Sequence, residues 1–119
     1  MTLNGVAAMM NQPNNILVVE DRTDWQDIVC TALERQGHIP HPAMSYHEAL
    51  LALEKATFSL AVVDPVLDKT NRFNRDGLSI IQKIKETQPA MPLLVLTGSL
   101  TRDIEITLNH LQTGIFKII

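Results

Sequence analysis

Three carboxylates and a hydroxyl stand where apolar runs break off. Ile16-Leu17-Val18-Val19 stops at Glu20-Asp21, Leu60-Ala61-Val62-Val63 stops at Asp64, and Leu93-Leu94-Val95-Leu96 stops at Thr97. Carboxylates gathered in one place repel one another, so a cluster of them persists when a cation neutralises it. Oxygen-only ligands select a hard ion. Few protein ligands with open positions suit Mg²⁺, which keeps several of its waters. Taken singly, Glu20 or Asp21 is explained as an acid capping the following helix, and all three acids as solvated strand ends. What decides between these readings is whether the surrounding elements bring the acids to one place.

The four-residue run Ile16–Val19 is apolar throughout and rich in β-branched residues, as expected of a strand buried on both faces. Trp25, Ile28, Val29, Ala32 and Leu33 follow at helical spacing, with Gly37 as the stop. Gln26, Asp27, Glu34 and Arg35 fall on the polar face of that helix. His38–Ala43 is a weak strand, and Pro40 and Pro42, which lack an N–H, place it on a sheet edge. Ser45 and Glu48 form a capping box for a helix that runs to about Lys55. Leu60–Val63 is a second doubly buried strand, followed by a polar loop from Asp68 to Asp76. Gly77 opens a third helix with Leu78, Ile81 and Ile84 as its stripe, closed by Pro89. Pro92 starts the strand Leu93–Leu96. Ile104, Leu108 and Leu111 mark a further helix ended by Gly114, and Ile115–Ile119 begins a fifth strand. Residues 1–14 show no period and read as a loose tail before a single unit over 15–119.

Strict alternation of strands and helices, with strands apolar on both faces, means a parallel sheet covered on both sides. Right-handed crossovers and the edge position of the second strand favour a doubly wound, flavodoxin-like five-stranded sheet of order 2-1-3-4-5. Ligands of such sheets bind beyond the carboxyl ends of the strands, where the strand order reverses. Here that point lies between the first and third strands, which end in Glu20-Asp21 and Asp64, with Thr97 on the neighbouring strand.

Composition narrows the setting. The chain of 119 residues is 45% hydrophobic and 19% charged, ordinary for one globular domain. Ten basic against thirteen acidic residues give a net charge of −3 with no basic block, which argues against direct nucleic-acid binding. Cys30 is the single cysteine, so no internal disulfide or cysteine-based zinc site forms. No apolar run approaches a membrane span, and residues 1–15 hold no Lys or Arg for a signal peptide. A cytoplasmic protein is expected.

The chain resembles the receiver domains of two-component response regulators over about residues 15–119. The resemblance is carried by V-V-E-D at Val18–Asp21, L-A-V-V-D at Leu60–Asp64, D-G at Asp76-Gly77 and L-V-L-T-G at Leu94–Gly98, in that order on the right elements. It implies that Asp64 accepts a phosphoryl group from a sensor histidine kinase or a histidine phosphotransfer protein. It implies that Asp21 holds Mg²⁺ together with Glu20, Asp64 and the backbone carbonyl of Val66. It implies that Thr97 hydrogen-bonds the phosphoryl group and moves towards it on activation. Such a domain is a regulatory phosphoacceptor rather than an enzyme, and its output comes from an effector domain or partner outside this chain.

Three departures from the family pattern stand out. The loop after the phosphoacceptor usually reads D-x-x-x-P-x-x-D-G. Here Pro65 follows Asp64 directly and D-G arrives late, after the polar insertion Lys69–Arg75. This is read as a solvated loop, against the alternative that Arg72 or Arg75 touches the phosphoryl group or a partner. Next, the aromatic switch position falls on Ile118, and the usual Lys falls beyond Ile119. Lys117, closer to Gly114 than the family spacing, is read as a solvated strand residue, against the alternative that it substitutes for that Lys. Finally, a fifth helix is absent, so a C-terminally truncated chain is expected, or else a sheet face covered otherwise, with a homodimer as one cover.

Those departures support a second reading, a degenerate receiver that works as a phosphorylation-independent interaction or dimerisation module. A hydrolase with an Asp nucleophile is disfavoured because Val66 stands where D-x-D needs an acid. A flavin module is disfavoured by the acidic loop after the first strand. His38, His41, His47 and His110 share no metal-ligand spacing. Trp25 is expected on the inner face of the first helix, against the alternative that it borders the acids, and Cys30 as an ordinary helix residue rather than a nucleophile.

Overall fold

A computed structural model describes residues 14–67 and 74–96. The elements alternate as expected: β1 (Asn15–Val19), α1 (Thr23–Arg35), β2 (Ile39–Ala43), α2 (Tyr46–Lys55), β3 (Leu60–Val63), α3 (Asp76–Thr87) and β4 (Leu93–Val95). The four strands form one parallel sheet in the order β2-β1-β3-β4. The order reverses between β1 and β3, as anticipated. Of the expected tail over residues 1–14, Asn14 is described, and its carbonyl accepts from the Ile39 amide. The rest of the tail, the inserted loop over 68–73, Thr97, the helix after Thr101 with His110, and the fifth strand with Lys117 and Ile118 lie outside the described residues.

The prolines of β2 explain its place at the edge. The Ile39 amide donates to the Asn14 carbonyl, so position 39 faces β1. Alternation then turns positions 40 and 42 away from β1, where the missing N–H breaks no ladder bond. Ser45 caps α2 as its sequence requires: the Glu48 amide donates to Ser45 Oγ at 3.2 Å, and Glu48 Oε2 accepts from the Met44 amide at 3.1 Å. At the end of α1 the His38 amide returns to the Leu33 carbonyl and the Gly37 amide to that of Glu34, which needs Gly37 at φ +84°.

Alternation along the strands divides the core in two. Leu17, Val19, Ala61, Val63, Leu93 and Val95 pack with Ala49 of α2 and Ile80, Ile81 and Ile84 of α3. On the other face Ile16, Val18 and Val62 meet Val29, Cys30 and Leu33 of α1. This corrects the expected inner stripe of α1. Trp25 and Ile28 are exposed, at 37% and 57%, whereas Gln26 is 5% exposed. The inward set is Gln26, Val29, Cys30 and Leu33, an i, i+3, i+4, i+7 stripe one residue round from the apolar one. A polar residue leads it because its amide faces the carbonyls of Val18, Glu20 and Ala43 at the strand ends, and buried carbonyls can take a second donor.

Candidate functional site

The strand register builds the rim at which the acids meet. Val19 is in register with both Ala43 and Val63, and Val63 with Val95, so β1, β2, β3 and β4 end level. The ladder continues one residue past each strand. The Glu20 amide donates to the Ala43 carbonyl at 3.1 Å, the Asp64 amide to Val19 at 2.9 Å, and the Leu96 amide to Val63 at 3.1 Å. Glu20 and Asp64 are therefore anchored by backbone before their side chains do anything. Leu96 brings the chain to the position just before Thr97.

Glu20, Asp21 and Asp64 converge, each offering an oxygen within 4.8 Å of the others. Glu20 and Asp64 are buried, at 8% and 3% exposed, and Asp21 is half-buried. Burial of acids at this density demands compensation. Two unit charges at such a separation repel by roughly 1–4 kcal/mol, depending on how far solvent penetrates. Backbone donors supply part of the compensation. The Arg22 amide donates to Glu20 Oε1 at 3.1 Å, at the positive end of α1. The Val66 amide donates to Asp64 Oδ1 at 2.8 Å, an Asx turn that fixes the carboxylate against the chain that follows it.

The remaining compensation fits a hard divalent cation. The donor set is entirely oxygen, it comes from two adjacent strand ends, and it stops short of a full cage, which matches Mg²⁺ with retained waters. Thr97, Ile118 and Lys117 lie outside the described residues, as does Arg72 of the inserted loop. Arg75 is exposed and its carbonyl accepts from the Ser79 amide at the start of α3.

Two further residues shape this rim. Gly77, in the first turn of α3, lies so close to the strand end that a β-carbon there would collide with the Asp64 carbonyl oxygen and meet Pro65 at 2.6 Å. The D-G pair contained this signal, although the reason for glycine appears only in the packing. Gln26 donates from Nε2 to the carbonyls of Val18, Glu20 and Ala43 at 3.1, 3.3 and 3.4 Å. This corrects its expected place on the polar face of α1. The i, i+3, i+4, i+7 relation to Val29, Cys30 and Leu33 was the available signal.

Comparison with known proteins agrees with this geometry. A model of the response regulator receiver domain matches residues 16–119. An NtrX-like response regulator of Rickettsia bellii is 30% identical over 105 residues, covering 88% of this chain and 21% of that protein. The chain thus spans about a fifth of the length of that relative. A CheY-like receiver domain protein of Methanospirillum hungatei shares the fold at a TM-score of 0.78, with 23% identity over 90% of this chain and 81% of that one. A response regulator of Burkholderia pseudomallei, solved with a phosphorylated aspartic acid, a calcium ion and citrate, matches at a TM-score of 0.74 and 26% identity, covering 87% of this chain and 58% of that one. With its 2-1-3-4 parallel sheet and the acids gathered at the strand reversal, the chain belongs to the response regulator receiver domains of two-component systems.

Proposed function

We propose that this receiver accepts a phosphoryl group on Asp64 from a phosphohistidine of a sensor kinase or histidine phosphotransfer protein. The observation that carries the reading is the convergence of Glu20, Asp21 and Asp64 within 4.8 Å at the rim between β1 and β3. Phosphoryl transfer asks a protein mainly for positioning and charge neutralisation. Asp64 is positioned by the hydrogen bond its amide donates to the Val19 carbonyl and by the Val66 amide, which donates to Oδ1. A carboxylate oxygen of Asp64 attacks phosphorus, the phosphorus–nitrogen bond breaks, and the imidazole leaves with the electron pair and takes up a proton. The product is an acyl phosphate.

Glu20, Asp21, Asp64 and the backbone carbonyl of Val66 are the proposed ligands of Mg²⁺. When bound, the ion supplies positive charge to the acids and to the phosphoryl oxygens. Thr97 is the proposed hydrogen-bond partner of the phosphoryl group, with Ile118 at the switch position. The response regulator of Burkholderia pseudomallei, with its phosphorylated aspartic acid and calcium ion, supports the same chemistry here. Residues 15–119 are the proposed unit, working in the cytoplasm and passing its state to an effector domain or partner protein outside this chain, with self-association as one route. No helix among the described residues is long and apolar enough to cross a membrane.

The test is incubation with acetyl phosphate and Mg²⁺, read by intact mass. One phosphoryl adduct, lost in Asp64→Ala, is expected. No adduct, or an adduct that survives Asp64→Ala, overturns the proposal and leaves the phosphorylation-independent interaction module.

A further inference from the structure

We propose that Gln26 is a positioning residue for the acidic site: a single side-chain amide on α1 ties together the ends of β1 and β2 and so sets the turn that presents Glu20 and Asp21. The inference rests on the metal-binding role proposed above for those acids and adds a residue outside the expected site.

The geometry is specific. Gln26 is buried, and its Nε2 faces the carbonyl oxygens of Val18 at 3.1 Å, Glu20 at 3.3 Å and Ala43 at 3.4 Å. Its Oε1 accepts from Cys30 Sγ at 3.3 Å. Acceptors at one end and a donor at the other set which way the amide points. Two N–H groups serving three carbonyls form a shared junction rather than a simple cap. Two of those carbonyls lead into the turn that matters: Val18 lies within β1 and Glu20 just beyond it. The third, Ala43, also accepts the Glu20 amide. Glu20 is thus gripped at both its amide and its carbonyl, directly before Asp21. Outer groups of this kind orient the ligands of a metal site, and their loss commonly weakens binding by roughly 10–100-fold.

A structural role alone would make Gln26 interchangeable with any residue that filled the same space, which sets the experiment. Gln26→Met keeps the length and bulk and removes both N–H groups. Leu33→Ala, on the same inward stripe, serves as a destabilised control. Two measurements are made on each: amide hydrogen exchange in metal-free protein and titration calorimetry with magnesium chloride. In Gln26→Met the Glu20 and Arg22 amides are expected to exchange about tenfold faster, relative to the Asp64 amide of the β1–β3 ladder. The Mg²⁺ dissociation constant is expected to rise roughly tenfold. Leu33→Ala should leave both ratios at the wild-type value. Wild-type exchange and affinity in Gln26→Met, or an equal change in Leu33→Ala, overturn the inference. If Gln26→Met does not fold, Gln26→Asn is used, whose amide is one methylene too short for all three carbonyls. If wild-type protein takes up no Mg²⁺, the metal-binding proposal fails, and the metal-free exchange pattern alone decides whether Gln26 holds the turn.

Discussion

Gly77 of α3 rests directly against the main chain of Asp64, with no room for a β-carbon between them. The helix after the inserted loop is thereby docked onto the proposed phosphoacceptor. Gly77→Ala forces backbone to move, because the obstructing atoms are a carbonyl and a proline rather than a flexible side chain. A loss of about 1–3 kcal/mol in urea unfolding is expected, as for other overpacked sites, with a slower reaction at Asp64. Gly37→Ala is the instructive contrast. A β-carbon there meets nothing within 4 Å, but φ is +84°. It should cost about 1–2 kcal/mol through the left-handed backbone alone and leave the acidic site unchanged.

Removing one acid from the cluster should affect stability and metal binding in opposite directions. Asp21→Asn relieves repulsion among carboxylates that approach within 4.8 Å. In the presence of EDTA the variant should therefore melt at or above the wild-type temperature. Magnesium should reverse the ranking. At a concentration 100 times its dissociation constant it stabilises wild type by about 2.7 kcal/mol and the variant by clearly less. Thermal melts with EDTA and with magnesium chloride check this, and equal Mg²⁺ stabilisation of both proteins would falsify the assignment of Asp21.

Cys30 gives the fold an alkaline sensitivity. Burial pushes its thiol pKa up, and the charges of Glu34 and Asp27 add to the effect. The native state keeps its proton at pH values where the unfolded chain has released it. The resulting contribution is present at neutral pH and fades as pH climbs through the ordinary thiol range, about 8.5, towards the native value. Urea midpoints should fall less steeply above pH 8 in Cys30→Ala than in wild type. Alkylation by iodoacetamide at neutral pH should be slower than in the urea-unfolded chain.

Ser45→Ala removes the acceptor of the Glu48 amide at the start of α2. A loss of about 1 kcal/mol is expected, measured by chemical denaturation. The loss should fall on the start of α2, with the ladder bond from the Glu20 amide to the Ala43 carbonyl left in place.

The sheet order was legible because its cues are local and unambiguous. Pro40 and Pro42 cannot serve a central strand, and three apolar runs end at polar residues. The meeting of Glu20, Asp21 and Asp64 followed from the order of the strands. The buried face of α1 departs from its hydropathy pattern for a physical reason. Trp25 and Ile28 are apolar yet exposed. The position that points into the sheet, however, needs a hydrogen-bond donor more than it needs an apolar surface, and Gln26 supplies it. Likewise, Gly77 was visible as a motif letter, but the pressure that selects glycine is a contact between segments separated by the inserted loop.

The two prolines of β2 also decide how this protein can meet others. Along the outer side of that strand, positions 40 and 42 offer carbonyls but no N–H. An incoming strand would find acceptors without the alternating donors that a ladder needs. This flank is therefore closed to sheet extension, and with it one common route to fibrils and domain exchange. Self-association by edge-to-edge pairing of β2 is thereby disfavoured.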